Sequence, residues 1–177
     1  MALFAEQLVD EWLNRDRYFT IRGMKDGRDE IDLLAIRPGA SGLEARHIEV
    51  QVSFRPISYI SALTPEQQKK LNARNRNSPT RWEIDVLEEG VNAWVDKKFV
   101  SEKKTRMRNK ILNGVNWRFS FVHAKVFEPH ELELIEAHGI ELIPFKGVVE
   151  SLCRKGDGWV GGAATDIAEI IAYSSQQ

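Results

Sequence analysis

Cysteine is nearly absent: Cys153 is the only one in 177 residues. One thiol cannot close an intrachain disulfide, so a reducing, cytoplasmic setting is the expectation. Long apolar runs are missing as well. No stretch approaches the ~20 residues that cross a bilayer. The N-terminus, Met-Ala-Leu-Phe-Ala-Glu-Gln, lacks the basic start and apolar run of a signal peptide. There is no excess of either charge. The net charge is −1, so the whole-molecule field draws neither nucleic acid nor an anionic membrane, and such attraction must come from local patches. Metal-ligand spacing is lacking among the four histidines, His47, His123, His130 and His138, and no CxxC pair is possible. A Gly-x-Ser-x-Gly elbow is absent. The Gly-rich run 156–162 follows a helical pattern and lacks the Lys-Ser/Thr of a phosphate loop, so it reads as a turn. Internal repeats and low-complexity tracts are also missing.

What remains is an ordinary globular composition, 42% hydrophobic and 29% charged. The length suits a single domain over 1–177 with a sizeable core. The chain is organised around Glu30–Phe54. Two runs rich in branched apolar residues, Glu-Ile-Asp-Leu-Leu-Ala-Ile-Arg and His-Ile-Glu-Val-Gln-Val-Ser-Phe, flank turn chemistry at Pro38, Gly39, Ser41 and Gly42. Strand alternation sends Ile48, Val50, Val52 and Phe54 one way, and His47, Glu49, Gln51 and Ser53 the other. The second set is polar in mid-strand, and Asp32 on the neighbouring strand is too. Buried polar groups cost free energy unless something satisfies them. A divalent cation between Asp32 and Glu49 would do so, because hard cations take carboxylate oxygens.

In chain order, residues 2–16 form an amphipathic helix with Phe4, Ala5, Leu8, Val9 and Trp12 on one stripe and Glu6 at its edge. Residues 17–23 read as a first strand. Thr64-Pro65-Glu66 looks like the capped start of a short helix. Residues 84–113 are mostly helical, with a second segment from about Ser101 whose apolar face carries Val100, Met107 and Ile111, and Lys104 among them. Trp117–Val126 is a strand with Phe119, Phe121 and His123 on one face. Pro129 opens a helix that stops at Gly139, and Ile140–Phe145 is a fifth strand. Strand, helix, strand at this spacing implies a parallel pair. A short helix at 148–153 and a last amphipathic helix capped by Thr165 complete the chain.

Two stretches are basic. Glu66–Arg81 carries Lys69, Lys70, Arg74, Arg76 and Arg81 for a local balance of +4, within the insertion 55–83. Residues 97–118 carry eight bases, among them Lys103, Lys104, Arg106 and Arg108, for a balance of +7. Trp82, closing the first stretch, is a candidate base-stacking residue, with packing as the plainer role.

The sequence Glu6, then Ile31-Asp32, then Glu49-Val50-Gln51, in the order helix, three strands, basic helix, strand, resembles the PD-(D/E)XK, or restriction-endonuclease-like, nuclease superfamily. The resemblance covers residues 2–126, with 127–177 as a C-terminal αβα extension. It implies a single α/β domain with a central mixed sheet flanked by helices and an αβββαβ core. By this resemblance Asp32 corresponds to the first metal-binding Asp, Glu49 to the second acid and Glu6 to the helix-borne glutamate. Mg²⁺ (or Mn²⁺) is implied on Asp32, Glu49 and the Val50 carbonyl. Ile31 stands where the family has proline, and Gln51 where it has lysine. A lysine moved to the following helix can replace the latter, and Lys104 is the candidate, with Lys103 behind it.

The implied reaction is hydrolysis of DNA phosphodiester bonds, with the catalytic set Asp32, Glu49, Gln51, Lys104 and Glu6. Lys69, Lys70, Arg74, Arg76, Arg81, Lys103, Arg106 and Arg108 would track the backbone. RNA in place of DNA, a second copy of the chain as partner, and a catalytically impaired module that binds nucleic acid or protein stay open. No membrane partner is expected.

Overall fold

The structure is a computed structural model and describes residues 2–53, 57–73 and 82–153. Expectations for Phe54, for Arg74, Arg76 and Arg81, for the 156–162 turn and for the last helix lie outside the described residues. The architecture is α/β: a five-stranded mixed sheet flanked by helices.

Helix α1 (Ala2–Arg15) precedes strands β1 (Phe19–Asp26), β2 (Asp29–Gly39) and β3 (Gly42–Gln51). Helices α2 (Pro65–Lys70), α3 (Ile84–Val95) and α4 (Glu102–Ile111) lead to β4 (Trp117–His123). Then come α5 (Pro129–Ala137), β5 (Glu141–Pro144) and α6 (Phe145–Cys153). The sheet order is β1-β2-β3-β4-β5. The first three strands are antiparallel and follow one another through tight turns, while β3, β4 and β5 run parallel, joined through helices.

The alternation expected of β3 holds. Ile48 and Val50 join Leu33, Ala35 and Val122 in a core against Ala5, Leu8, Val9 and Leu13 of α1 and Val148 and Leu152 of α6. The opposite face packs Phe121 with Val91, Trp94 and Val95 of α3, Phe99, and Ile135 of α5. A smaller cluster joins Ile31 and Leu34 to Met107 of α4. Strands run further than the sequence suggests: β1 continues to Asp26, and Pro38 and Gly39 lie inside β2. Two helix ends are fixed by local chemistry. Thr64 and Gln67 form a complete capping box at α2, and Gly139, at φ +75°, ends α5.

One expectation for the 84–113 region needs correction. The second helical segment does begin just past Ser101, the N-cap of α4. A π-helical turn, Asp96–Val100, extends α3 and closes at Ser101, whose backbone is extended (ψ 148°). This wider turn breaks the 3.6-residue period. Val100, within that turn, is exposed, Ile111 at the end of α4 is exposed as well, and the buried face of α4 is Lys104, Met107 and Arg108.

Candidate active site

The site lies where strand pairing lapses. The β2–β3 ladder starts at Leu33↔Ile48 and stops short of Asp32. The β1–β2 ladder skips the level of Asp32 as well, where Gly23 of β1 sits at φ +61°. Backbone groups at such a fork need other partners. Val50 N–H accordingly donates to Asp32 Oδ2 at 2.8 Å. Among the described residues Asp32 has no ion-pair partner, although it is half-buried. Burial, and next the charge of Glu49, push its carboxyl up to about 7.

Glu49 is placed by the alternation of β3 on the face toward the π-helical turn and α4. It is 1% exposed. Its Oε1 accepts from His47 Nε2 and from Lys104 Nζ, each at 3.0 Å, and its Oε2 accepts from Lys98 Nζ at 2.6 Å. Burial alone would raise its pKa. The His47 hydrogen bond and the charge of Lys98 outweigh it and hold the carboxyl near 2. Burial likewise opposes the charge on Lys98, and Glu49 and Asp32 reverse that effect, so its ammonium lies above the ordinary lysine range.

Lys104, the sequence's candidate for the displaced lysine, is 2% exposed. It donates to the Glu30 carbonyl as well as to Glu49. An ammonium sealed between two acceptors is a strut within the fold and does not face a phosphate. Lys98 is the lysine that reaches Glu49 from the open side, with 30% of its side chain exposed. Sequence reasoning counted Lys98 only as one charge in a basic run. The missed signal was not periodic: the π-helical turn rotates Lys98 toward the sheet while burying Phe99 completely.

Glu6 stands on α1 at the edge of the site, half-buried. Burial and then Glu30 raise its pKa, and Glu49 and Lys98 act on it only through space. Gln51 continues the polar face of β3, but its amide donates to the Ile60 carbonyl at 3.4 Å, toward the segment 57–63. His47 is fully buried, and burial drives its pKa down to about 4. Arg108 was expected on a nucleic-acid surface. It is instead 5% exposed, donating to the Phe99 carbonyl at 2.6 Å and to His47 Nδ1 at 3.0 Å.

The other basic residues are placed differently from a continuous phosphate track. Lys103 pairs with Asp29 at 2.7 Å, and Arg106 and Lys110 face Asp26 at 3.9 and 3.7 Å. The β1–β2 hairpin thus answers much of the charge of α4. Lys69 and Lys70 are exposed at the end of α2. Trp82 stacks on Tyr59, with centroids 3.7 Å apart and planes 5° from parallel, which is a packing role.

Among the described residues, no group of three or more His, Cys, Asp and Glu is arranged to hold a metal. Two carboxylates and a carbonyl, the set centred on Asp32 and Glu49, fall below that count. No helix of the described residues is long and apolar enough to cross a membrane.

The crystal structure of a protein of unknown function, AF1548, has a similar fold, with a TM-score of 0.50 and 15% identity. The match covers 85% of this chain and 66% of that one, so this chain spans just under two thirds of that protein's length. At this identity the likeness shows the fold alone. No protein-family model and no curated sequence matches the chain.

Proposed function

We propose that this chain is a PD-(D/E)XK, restriction-endonuclease-like domain that hydrolyses DNA phosphodiester bonds with Mg²⁺ or Mn²⁺ in a cytoplasmic setting. The observation that carries the reading is the convergence of Asp32, Glu49 and Lys98 at the fork between β2 and β3. The order helix, three strands, helix, strand, with β3 parallel to β4, supports it.

The donor chemistry suits a hard cation. Asp32 is a partly buried carboxylate with no cationic partner among the described residues, and Glu49 is ionised beside it. Asp32, Glu49 and the Val50 carbonyl would hold the ion. Bound there, it would supply Lewis-acid polarisation of the phosphate and lower the pKa of a water. The chain's own residues have distinct tasks. Lys104 and His47 hold Glu49 in place, and Lys98 offers a partly exposed ammonium to negative charge developing on a phosphate. Gln51 can hydrogen-bond a water but cannot take its proton.

One observation favours a second reading. Both oxygens of Glu49 are already compensated by Lys98 and Lys104. An acid neutralised in this way suits a module that grips nucleic acid or a protein partner without cutting it.

A supercoiled-plasmid assay with Mg²⁺ and with Mn²⁺ separates the two. The nuclease reading expects nicking that Asp32→Ala and Glu49→Ala abolish and that Lys98→Met slows about 100-fold, the typical cost of losing one transition-state donor. Absence of cleavage with either ion, alongside salt-dependent DNA binding, hands the chain to the second reading. Absence of cleavage together with DNA binding indifferent to salt removes the nuclease and the nucleic-acid module and leaves the protein-binding module.

A further inference from the structure

Behind Glu49 the contact with His47 continues into a buried chain of groups. Arg108 Nη1 donates to the Phe99 carbonyl at 2.6 Å and meets His47 Nδ1 at 3.0 Å. His47 Nε2 meets Glu49 Oε1 at 3.0 Å. Arg108 Nη2 donates to Thr105 Oγ1 at 3.0 Å. The imidazole packs against Phe99 and Phe119, with ring centroids at 4.9 and 5.9 Å. The Arg108 guanidinium lies 5.0 Å from the Phe119 centroid. The three charged or polar side chains come from β3 and α4, and each is at least nine-tenths buried.

A guanidinium has donors only, so the His47 Nδ1 that faces it must carry a lone pair. The ring proton of neutral His47 is then on Nε2, directed at the Glu49 carboxylate. The reverse tautomer would set N–H against N–H at Arg108 and a lone pair against a carboxylate at Glu49. Phe99 and Phe119 pack against the ring in this orientation.

We propose that Arg108 and His47 form a positioning relay: Arg108 fixes the His47 tautomer, and His47 N–H fixes one Glu49 oxygen so that the carboxylate's orientation is set before a cation arrives. This rests on the reading of Asp32 and Glu49 as the cation site. It also assigns His47 away from two other roles. With Nδ1 and Nε2 both engaged, the ring is neither a metal ligand nor a general base. The relay takes Arg108 away from the nucleic-acid backbone and places it behind Glu49.

The tautomer can be read directly on ¹⁵N-histidine-labelled protein at neutral pH by long-range ¹H–¹⁵N correlation. The expected result is a single Nε2–H pattern for His47 in the wild type and an averaged or altered pattern in Arg108→Met. Calorimetric titration with Mn²⁺ supplies the second readout. Loss of an outer-shell partner typically weakens metal binding 10–100-fold. On that scale His47→Leu and Arg108→Met are expected to bind Mn²⁺ at least about ten-fold more weakly, and His47→Gln, which keeps an N–H near the Nε2 position, within about three-fold of wild type. Thermal melts of each variant show which of them fold, and His47→Gln keeps the comparison available if His47→Leu does not.

An Nδ1–H pattern in the wild type, or His47→Gln as weak as His47→Leu, overturns the relay. So does Arg108→Met with wild-type tautomer and affinity. Either result together with wild-type Mn²⁺ binding that needs Asp32 and Glu49 leaves the nuclease reading standing. Wild-type protein that binds no Mn²⁺ overturns both.

Discussion

Asp32 and Glu49 show how two acids on neighbouring strands acquire opposite protonation behaviour. Glu49 is the more deeply buried, yet its pKa falls, because one imidazole N–H and two ammonium groups reach it. Among the described residues Asp32 has one backbone N–H and no ion pair, and Lys98 acts on it only through space, so burial wins. Its raised pKa has a stability consequence. A carboxyl whose folded value (about 7) exceeds its ordinary value (3.8) binds its proton more tightly in the native state. Its contribution is therefore fully present below about pH 4 and is lost as the pH rises through about 7. The difference between those limits is on the order of 4 kcal/mol before any relaxation of the site. In EDTA, Asp32→Asn is expected to raise the melting temperature clearly at pH 8 and little at pH 4. An equal shift at both pH values would contradict the assignment. The amide oxygen of asparagine can still accept from Val50 N–H, so that bond is not the variable.

Between residue and fold, the segment 57–63 depends on one side chain from a distant helix. Glu131 of α5 is fully buried and accepts from Ile60 N–H and Ser61 N–H at 2.6 Å and from the Ser61 hydroxyl at 2.5 Å. Burial raises its pKa in spite of these donors. The same segment receives the Gln51 amide at the Ile60 carbonyl, so Glu131 indirectly borders the site. Glu131→Ala strands two buried N–H groups, at ~1–3 kcal/mol each. The expected loss is about 3 kcal/mol or more in denaturant unfolding, with faster amide exchange at Ile60 and Ser61. Stability unchanged within error would show that this segment is held by other contacts. The α2 cap is a smaller effect of the same kind. Thr64→Ala removes the acceptor for Gln67 N–H and is expected to cost about 1 kcal/mol.

At the scale of the whole molecule, charge is arranged in opposition. The net charge is −1, and the α4 cations that could meet nucleic acid are answered by Asp26 and Asp29 of the hairpin. These exposed pairs contribute little to stability, so they can be opened without unfolding the protein. Asp26→Asn with Asp29→Asn frees Lys103, Arg106 and Lys110. If this face meets DNA, filter binding should become tighter and its log K against log salt steeper by about 1–3, since each added phosphate contact contributes about 0.9. An unchanged slope would place the nucleic-acid surface elsewhere, toward Lys69 and Lys70.

The sequence by itself determined the element order, the two faces of β3, the α1 stripe and the caps at Thr64 and Gly139. These are local properties: alternation, helical spacing and turn chemistry act within a few residues of one another. It also singled out Asp32 and Glu49, because a charged residue in mid-strand violates the pattern around it. Only the tertiary structure brought Lys98 to Glu49 beside Lys104 and decided what lies behind that acid. Lys98 is 49 residues from Glu49 and Arg108 is 61 from His47. A helical period carried through 95–101 misplaces Val100, because the wider π-helical turn rotates less per residue than an α-helix. Burial turned Arg108 from a surface charge into an internal strut and sealed Lys104 on the apolar face where its spacing puts it, since in the interior each must find an acceptor, and Glu49, Glu30 and His47 are the ones within reach.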